Sequence, residues 1–175
     1  MKTAYVWHYE SPLGRMTLGS DGTSLTGLWF DVQERYAIPL PVGCEEKMLP
    51  VFGDTCRWLD IYFSGREPGF TPQLALHAAP FRKAVWEILL TIPYGKTMTY
   101  GEIAKRVAER MGAARMSAQA VGGAVGHNPI SLIVPCHRVV GAGGALTGYA
   151  GGLDRKASLL RLEGVTRWFF AMNED

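Results

Sequence analysis

The sequence contains no apolar run long enough to cross a bilayer, which takes about 20 consecutive apolar residues. Its opening, Met1-Lys2-Thr3-Ala4-Tyr5-Val6-Trp7-His8, shows neither the apolar core nor the cleavage site of a secretion signal. Cysteine is scarce and odd in number: Cys44, Cys56 and Cys136, with no CxxC pair. That argues against a disulfide framework. Four histidines, His8, His77, His127 and His137, fall without the ligand rhythm of a zinc site, so no metal is expected. The expectation is an intracellular, cytoplasmic protein with no membrane partner.

A strong excess of one charge is also missing, since the formal net charge is +2. The balance conceals a division. Residues 1–78 hold six Lys/Arg against nine Asp/Glu, a net of −3, and residues 79–175 hold twelve against seven, a net of +5. A basic half beside an acidic half points the C-terminal part toward a polyanion, although a solvated basic face fits the same numbers.

Turn residues and periodicity organise what is present. Tyr5–Tyr9, Met16–Ser20 and Leu25–Phe30 are strand-like, separated by the turn formers Ser11-Pro12-Leu13-Gly14 and Asp21-Gly22. Val51, Phe52, Cys56, Leu59, Tyr62 and Phe63 recur at helical spacing after Pro50, which predicts a helix covering this small antiparallel sheet. Cys56 then falls in the buried stripe. The turn-rich stretch from Gly65 to Pro72 reads as a linker between a domain at 1–78 and another at 79–175.

Beyond it the pattern is helical. Pro80 opens a helix with Phe81, Val85, Ile88 and Leu89 on its apolar face, ended by Pro93-Tyr94-Gly95-Lys96. Thr99-Tyr100-Gly101-Glu102 has the form of a capping box, starting a helix that stops near Gly112. Ser117 caps a further helix, which Asn128-Pro129 stops, and a last helix runs from about Asp154 to Glu163 before Gly164. The middle pair has the outline of a helix-turn-helix. Its second member contains Gly122-Gly123, each glycine costing about 1 kcal/mol of helix propensity. Close approach of another backbone, in a core or against DNA, would explain that expense.

Between these elements an apolar, strand-like run, Ile130–Val134, leads into Pro135-Cys136-His137-Arg138-Val139-Val140. A cysteine acts as a nucleophile in its thiolate form, which a nearby imidazole or cation favours. His137 and Arg138 supply both. Neighbouring side chains of an extended segment point to opposite faces, so Cys136 and His137 would need a bridging water to exchange a proton. A buried structural cysteine remains the alternative at this point.

The run Ile133-Val134-Pro135-Cys136-His137-Arg138-Val139-Val140 resembles the active-site signature of the O6-alkylguanine-DNA alkyltransferases. The likeness extends through Ala120-Val121-Gly122-Gly123-Ala124, Asn128-Pro129, the stretch from Gly144 to Gly152, and Leu159-Leu160 with Glu163-Gly164. It covers roughly residues 80–165. The resemblance implies an α+β protein: a three-stranded antiparallel, ribonuclease-H-like sheet with a helix, then a mainly helical part with a winged-helix-like helix-turn-helix. It implies DNA repair by irreversible, single-turnover transfer of an alkyl group from O6-alkylguanine, and possible action on O4-alkylthymine, without metal, nucleotide or methyl donor. Double-stranded DNA carrying the lesion is the implied partner of a monomer.

By the same resemblance Cys136 is the alkyl acceptor, His137 takes its proton through a water, and Glu163 orients His137. Asn128 holds the turn carrying the cysteine. Tyr100 crowds the phosphate of the target nucleotide and protonates the leaving guanine. Gly148, Tyr149 and Ala150 line the base pocket, and Val139 offers its carbonyl to the base. Ala118, Gln119, Gly122, Arg115 and Lys96 meet the DNA. One departure stands out. Many relatives carry arginine immediately before the Ala-Val-Gly-Gly-Ala run, and this chain has Gln119, which lacks charge and a stacking cation. A non-catalytic alkyl-lesion recognition protein, a helix-turn-helix transcription regulator and a cysteine hydrolase are the competing readings.

Overall fold

The computed structural model describes residues 3–33 and 40–170; Met1, Lys2 and residues 171–175, at the outer ends of the two expected parts, lie outside the described residues. Alternation in the N-terminal third produces a meander of β1 (Tyr5–Ser11), β2 (Gly14–Ser20) and β3 (Leu25–Phe30). All neighbours among these three are antiparallel. Met16, Leu18, Leu28 and Phe30 are fully buried on the covered face. Among the described residues the sheet has four strands rather than the expected three, because β4 (Glu45–Glu46) adds in parallel to the outer edge of β1. Two exposed glutamates show no alternation that could announce a strand; backbone bonds from Glu45 N–H to Ala4 O and from Lys47 N–H to Val6 O hold them there.

α1 (Pro50–Phe63) lies over this sheet, with proline in its first turn and Val51, Phe52, Trp58, Leu59 and Tyr62 buried. Cys56, expected in the buried stripe, is only half-buried. Thr55 takes the core-facing position beside it, its hydroxyl donating to the Val51 carbonyl at 2.7 Å. The stretch read as a linker continues into a segment that is bound to the sheet. Leu25 N–H donates to Gln73 O at 2.8 Å, and Ala75 N–H donates to Leu25 O at 3.0 Å.

Further along β3, Leu28 N–H donates to Pro129 O at 2.9 Å and Ser131 N–H to Leu28 O at 2.8 Å. The edge of β3, otherwise a row of unpaired donors and acceptors, is thereby closed by two passing segments. One of them leads directly into Cys136.

The C-terminal part contains α2 (Pro80–Leu89), α3 (Tyr100–Met111), α4 (Ala118–Gly126) and α5 (Leu153–Leu162). The capping box forms as read: Glu102 N–H donates to Thr99 Oγ1 at 3.1 Å, and Thr99 N–H donates to Glu102 Oε2 at 2.7 Å. Ser117 Oγ accepts from Ala120 N–H at 3.2 Å and starts α4. Trp86 of α2 donates its indole N–H to Ala124 O at 2.8 Å, anchoring the end of α4. Two short parallel pairs complete the fold, β5 (Met98–Thr99) with β6 (Val139–Val140) and β7 (Ala145–Leu146) with β8 (Phe169–Phe170).

One apolar cluster runs across both halves, including Leu28 and Phe30 of the sheet, Val85, Ile103, Val121 and Leu159. No helix among the described residues is long and apolar enough to cross a membrane.

Candidate active site

The segment before the cysteine is not a strand. Ile130 makes a single bridge to Leu28, after which residues 131–134 turn, and Leu132 adopts φ +70°. A non-glycine residue there stores about 1–3 kcal/mol of strain, which the surrounding structure must hold. Asn128 does the holding. Its side-chain N–H groups donate to Ile130 O at 3.2 Å and Val134 O at 2.8 Å, while its oxygen accepts from Ile130 N–H at 3.0 Å. Cys136–Arg138 then form one 3-10 turn, so neighbouring side chains there do not alternate between two strand faces.

Cys136 is buried, and burial pushes its thiol above the ordinary value. The Asn128 side chain, the Lys156 charge and the backbone N–H groups of Cys136 and His137 oppose that rise. His137 is fully buried as well. Its Nε2 lies 2.7 Å from Glu163 Oε1. An ionised carboxylate only accepts, so Nε2 carries the hydrogen and Nδ1 the lone pair. Among the described residues no side chain or backbone group reaches Nδ1. Burial holds the imidazole below its ordinary pKa against the pull of Glu163, leaving a neutral ring with a free base site.

Glu163 caps the end of α5 and gathers donors from four residues on three segments. Besides His137 it accepts from Tyr62 hydroxyl at 2.8 Å, Gly95 N–H at 3.0 Å, and Arg138, whose Nε reaches Oε2 at 2.9 Å and Nη2 reaches Oε1 at 3.0 Å. Burial pushes this carboxyl up, but the His137 and Arg138 contacts together hold it well below the usual carboxylate range. Gly95 is required for the approach: it sits at φ +75°, and a Cβ there would lie 3.1 Å from Glu163 O.

Arg138 therefore neutralises Glu163, and its Nη1 donates to Ile92 O at 2.7 Å. The cation that acts on Cys136 is Lys156, which sequence reasoning missed. Lys156 is fully buried on α5 and donates from Nζ to Gly148 O at 2.8 Å. A signal was available: with Leu153, Ala157 and Leu160 it falls at i, i+3, i+4 and i+7, a lysine inside an apolar stripe. Desolvation lowers its pKa to about 8, with Cys136 opposing.

The folded value lies below the unfolded one of about 10.4, so between about pH 8 and 10 the unfolded chain binds more protons. Lys156 should therefore make folding stability climb with pH across that window, by roughly 2–3 kcal/mol. Denaturant midpoints from pH 7 to 10 should rise more steeply with pH in the native chain than in Lys156→Met, because the raised Cys136 thiol, which gives the opposite slope, is present in both. Equal slopes would contradict the assignment.

A cavity of about 380 Å³ is lined by Cys136, by Tyr100 of α3, by Ala118, Gln119 and Gly122 of α4, and by Gly148, Tyr149 and Ala150. Thr147, Val125 and Gly126 also line it and were absent from the sequence expectation. Asn128, His137 and Glu163 do not line it; they support Cys136 from behind. Val139 is buried in β6 opposite Met98 and is not part of the lining. Arg115 borders a separate shallow depression with Ala104 and Met116, and Lys96 is exposed in the turn after Pro93. Burial raises the Tyr100 phenol, with the Thr147 side chain opposing. Tyr149 is buried, and a Cβ at Gly151 would lie 2.8 Å from its ring and 3.2 Å from Phe30, which explains the glycine.

The ribonuclease-like domain model of the 6-O-methylguanine DNA methyltransferases matches residues 5–76, and their DNA-binding domain model matches residues 80–165. The chain belongs to this family. Among methylated-DNA–protein-cysteine methyltransferases, that of Mycobacterium tuberculosis is 44% identical over 164 residues, covering 89% of this chain and 92% of the relative. That of Haemophilus influenzae is 41% identical over 166 residues, covering 94% and 89%. The crystal structure of Mycobacterium tuberculosis OGT in complex with DNA aligns with a TM-score of 0.75 at 42% identity, over 91% of this chain and 92% of that one. Membership in the 6-O-methylguanine DNA methyltransferases makes the cavity beside Cys136 the place to look for the reaction.

Proposed function

We propose that this protein repairs double-stranded DNA by moving an alkyl group from guanine O6 onto Cys136 Sγ, once per molecule. The observation that carries the reading is the cavity in which a buried thiol meets two tyrosines and one face of α4. A flipped base is the substrate that such a cavity would take. Cys136 loses its proton through a water to His137 Nδ1, whose ring is fixed by Glu163. The thiolate attacks the alkyl carbon in line; the bond from that carbon to O6 breaks, and its electron pair stays on guanine. Tyr100 supplies the proton that gives neutral guanine. The thioether has no leaving path, so the reaction ends there. The Val139 carbonyl accepts a hydrogen bond from the base amine, a role that rests on the family resemblance.

α4 supports a DNA-facing role. A Cβ at Gly122 would meet only ordinary contacts with Tyr100, at 3.8 Å, and one at Gly123 would meet nothing within 4 Å. Packing inside the protein thus leaves both helix-weakening glycines unexplained, and close approach by an outside backbone accounts for them. Ala118 and Gln119 are exposed on the same helix. Arg115 and Lys96, also exposed, would attract phosphates. A monomer is what the family resemblance implies. The charge division favours functional parts at 1–78 and 79–175, and three free cysteines favour a reducing, cytoplasmic setting. Gly148 and Ala150 leave room for alkyl groups larger than methyl, and O4-alkylthymine is a second candidate substrate.

The direct test is peptide mass mapping after incubation with a duplex containing O6-methylguanine: one methyl is expected on the Cys136 peptide. Repaired guanine with an unmodified Cys136 would refute the reading. Gln119 offers a second test. Glutamine can hydrogen-bond an orphaned base but adds no charge. Gln119→Arg should bind duplex DNA more tightly and with a steeper salt dependence, by about one released counterion. Equal affinity of the two proteins at every salt concentration would remove Gln119 from the interface.

A further inference from the structure

We propose that Tyr62 sets the Glu163–His137 pair for transfer, which makes the N-terminal part of the chain a component of the active site. Tyr62 lies in the last turn of α1 and is fully buried. Its hydroxyl donates to Glu163 Oε1 at 2.8 Å, the same oxygen that accepts from His137 Nε2 at 2.7 Å, and it lies 3.3 Å from Nε2 itself. The ring cannot turn the hydroxyl away. It stacks on Trp58 at 5.2 Å between centroids, and it packs edge-on against Tyr94 and His137, each at 6.2 Å.

Two donors thus share one carboxylate oxygen. Burial, with the nearby Glu163 charge, keeps the Tyr62 phenol protonated, so it remains a donor throughout the working range. What the phenol draws from Oε1 is not available to Nε2–H. The 2.8 Å bond to Glu163 outweighs the 3.3 Å approach to His137, and this decides the sign. Without the hydroxyl, Glu163 would pull harder on His137, and the ring would hold a proton to higher pH.

The groups that face His137 are Arg138 on its own turn, Lys156 of α5, Glu163 at the end of α5, and Tyr62 of α1, with Cys136 next to it in the chain. Tyr94 faces Tyr62 and Arg138 in turn. Arg138 and Lys156 oppose protonation of His137, and removing one oxygen from Tyr62 leaves both in place.

The inference rests on the reading of His137 as the proton acceptor. Tyr62→Phe removes the hydroxyl and keeps the ring. Single-turnover transfer should begin its rise at higher pH than in the native chain, with a several-fold lower rate below that point. The end point of one alkyl group per molecule and the affinity for duplex DNA should be unchanged. Replacing Tyr62 with 3-fluorotyrosine, a stronger donor, should move the profile the opposite way, and it covers the case in which the phenylalanine variant folds poorly. NMR titration of His137 should shift in step with each profile. A uniform slowing with no shift in the pH profile would mark a structural role only and overturn the proposal, as would an unshifted His137 titration. A native chain that transfers nothing, yet whose His137 titration still responds to Tyr62→Phe, would refute the transfer reading and leave the coupling standing.

Discussion

Glu163→Ala is expected to destabilise the protein by about 3–5 kcal/mol, the magnitude seen when one partner of a buried ion pair is removed. Arg138, largely buried, would keep its charge and lose the carboxylate that neutralises it. The Tyr62 hydroxyl, Gly95 N–H and His137 Nε2–H would lose their acceptor at the same time. Each such buried group left unsatisfied costs about 1–3 kcal/mol, less what local rearrangement recovers. Transfer should fall as well, because the tautomer of His137 depends on that carboxylate. The pH dependence carries an independent signature. Glu163 is held well below its ordinary range, so its stabilisation is complete above the unfolded value of about 4.3 and is lost as pH falls from there toward the folded value. Denaturant unfolding of native protein, Glu163→Ala and Glu163→Gln between pH 7 and 2 should show that acid limb in the native chain alone. A loss under about 1 kcal/mol at neutral pH, with the acid limb intact, would contradict the ion-pair account.

Cys136→Ala should abolish transfer while leaving the fold and DNA affinity close to native. The sulfur lines an existing cavity, so its removal widens open space more than it disrupts packing. No second thiol lines the cavity to take over the reaction: Cys44 and Cys56 are not among its lining residues. Burial raises the Cys136 thiol, so the reactive thiolate is the minor form at neutral pH. Native transfer should accordingly speed up with rising pH, and the gain should weaken above about pH 8 as Lys156 gives up the charge that supports the thiolate. Quantitative mass mapping across pH reads both effects. Methyl found on the Cys44 or Cys56 peptide, or persistent transfer by Cys136→Ala, would falsify the assignment.

Much of the fold was legible because its signals are local. Thr99 with Glu102, Ser117, Pro50 and Pro80 mark helix starts through bonds or ring constraints within one turn of chain. The meander followed from alternation and two turn sequences. Where a local signal was absent, the reading failed. Glu45–Glu46 joins the sheet without alternation, and Ile130–Val134 looks like a strand but turns because Asn128 bonds both of its ends.

The residues around Cys136 follow the same division. The resemblance of the ordered motifs pointed to Cys136, His137, Asn128, Glu163 and the Tyr149 loop, each tied to a recognisable neighbourhood of the chain. The partners that give these side chains their properties come from far away. Tyr62 and Glu163 are 101 residues apart, and Arg138 and Glu163 are 25 apart. The sheet edge that carries the segment before Cys136 belongs to β3, in the other half of the chain. Periodicity places a residue on a face of its own element, and it is silent about what another element brings to that face. Arg138 was read as the cation beside the thiol; folding gives it to Glu163 and puts Lys156 there instead, because desolvation makes a buried carboxylate hold the nearest guanidinium.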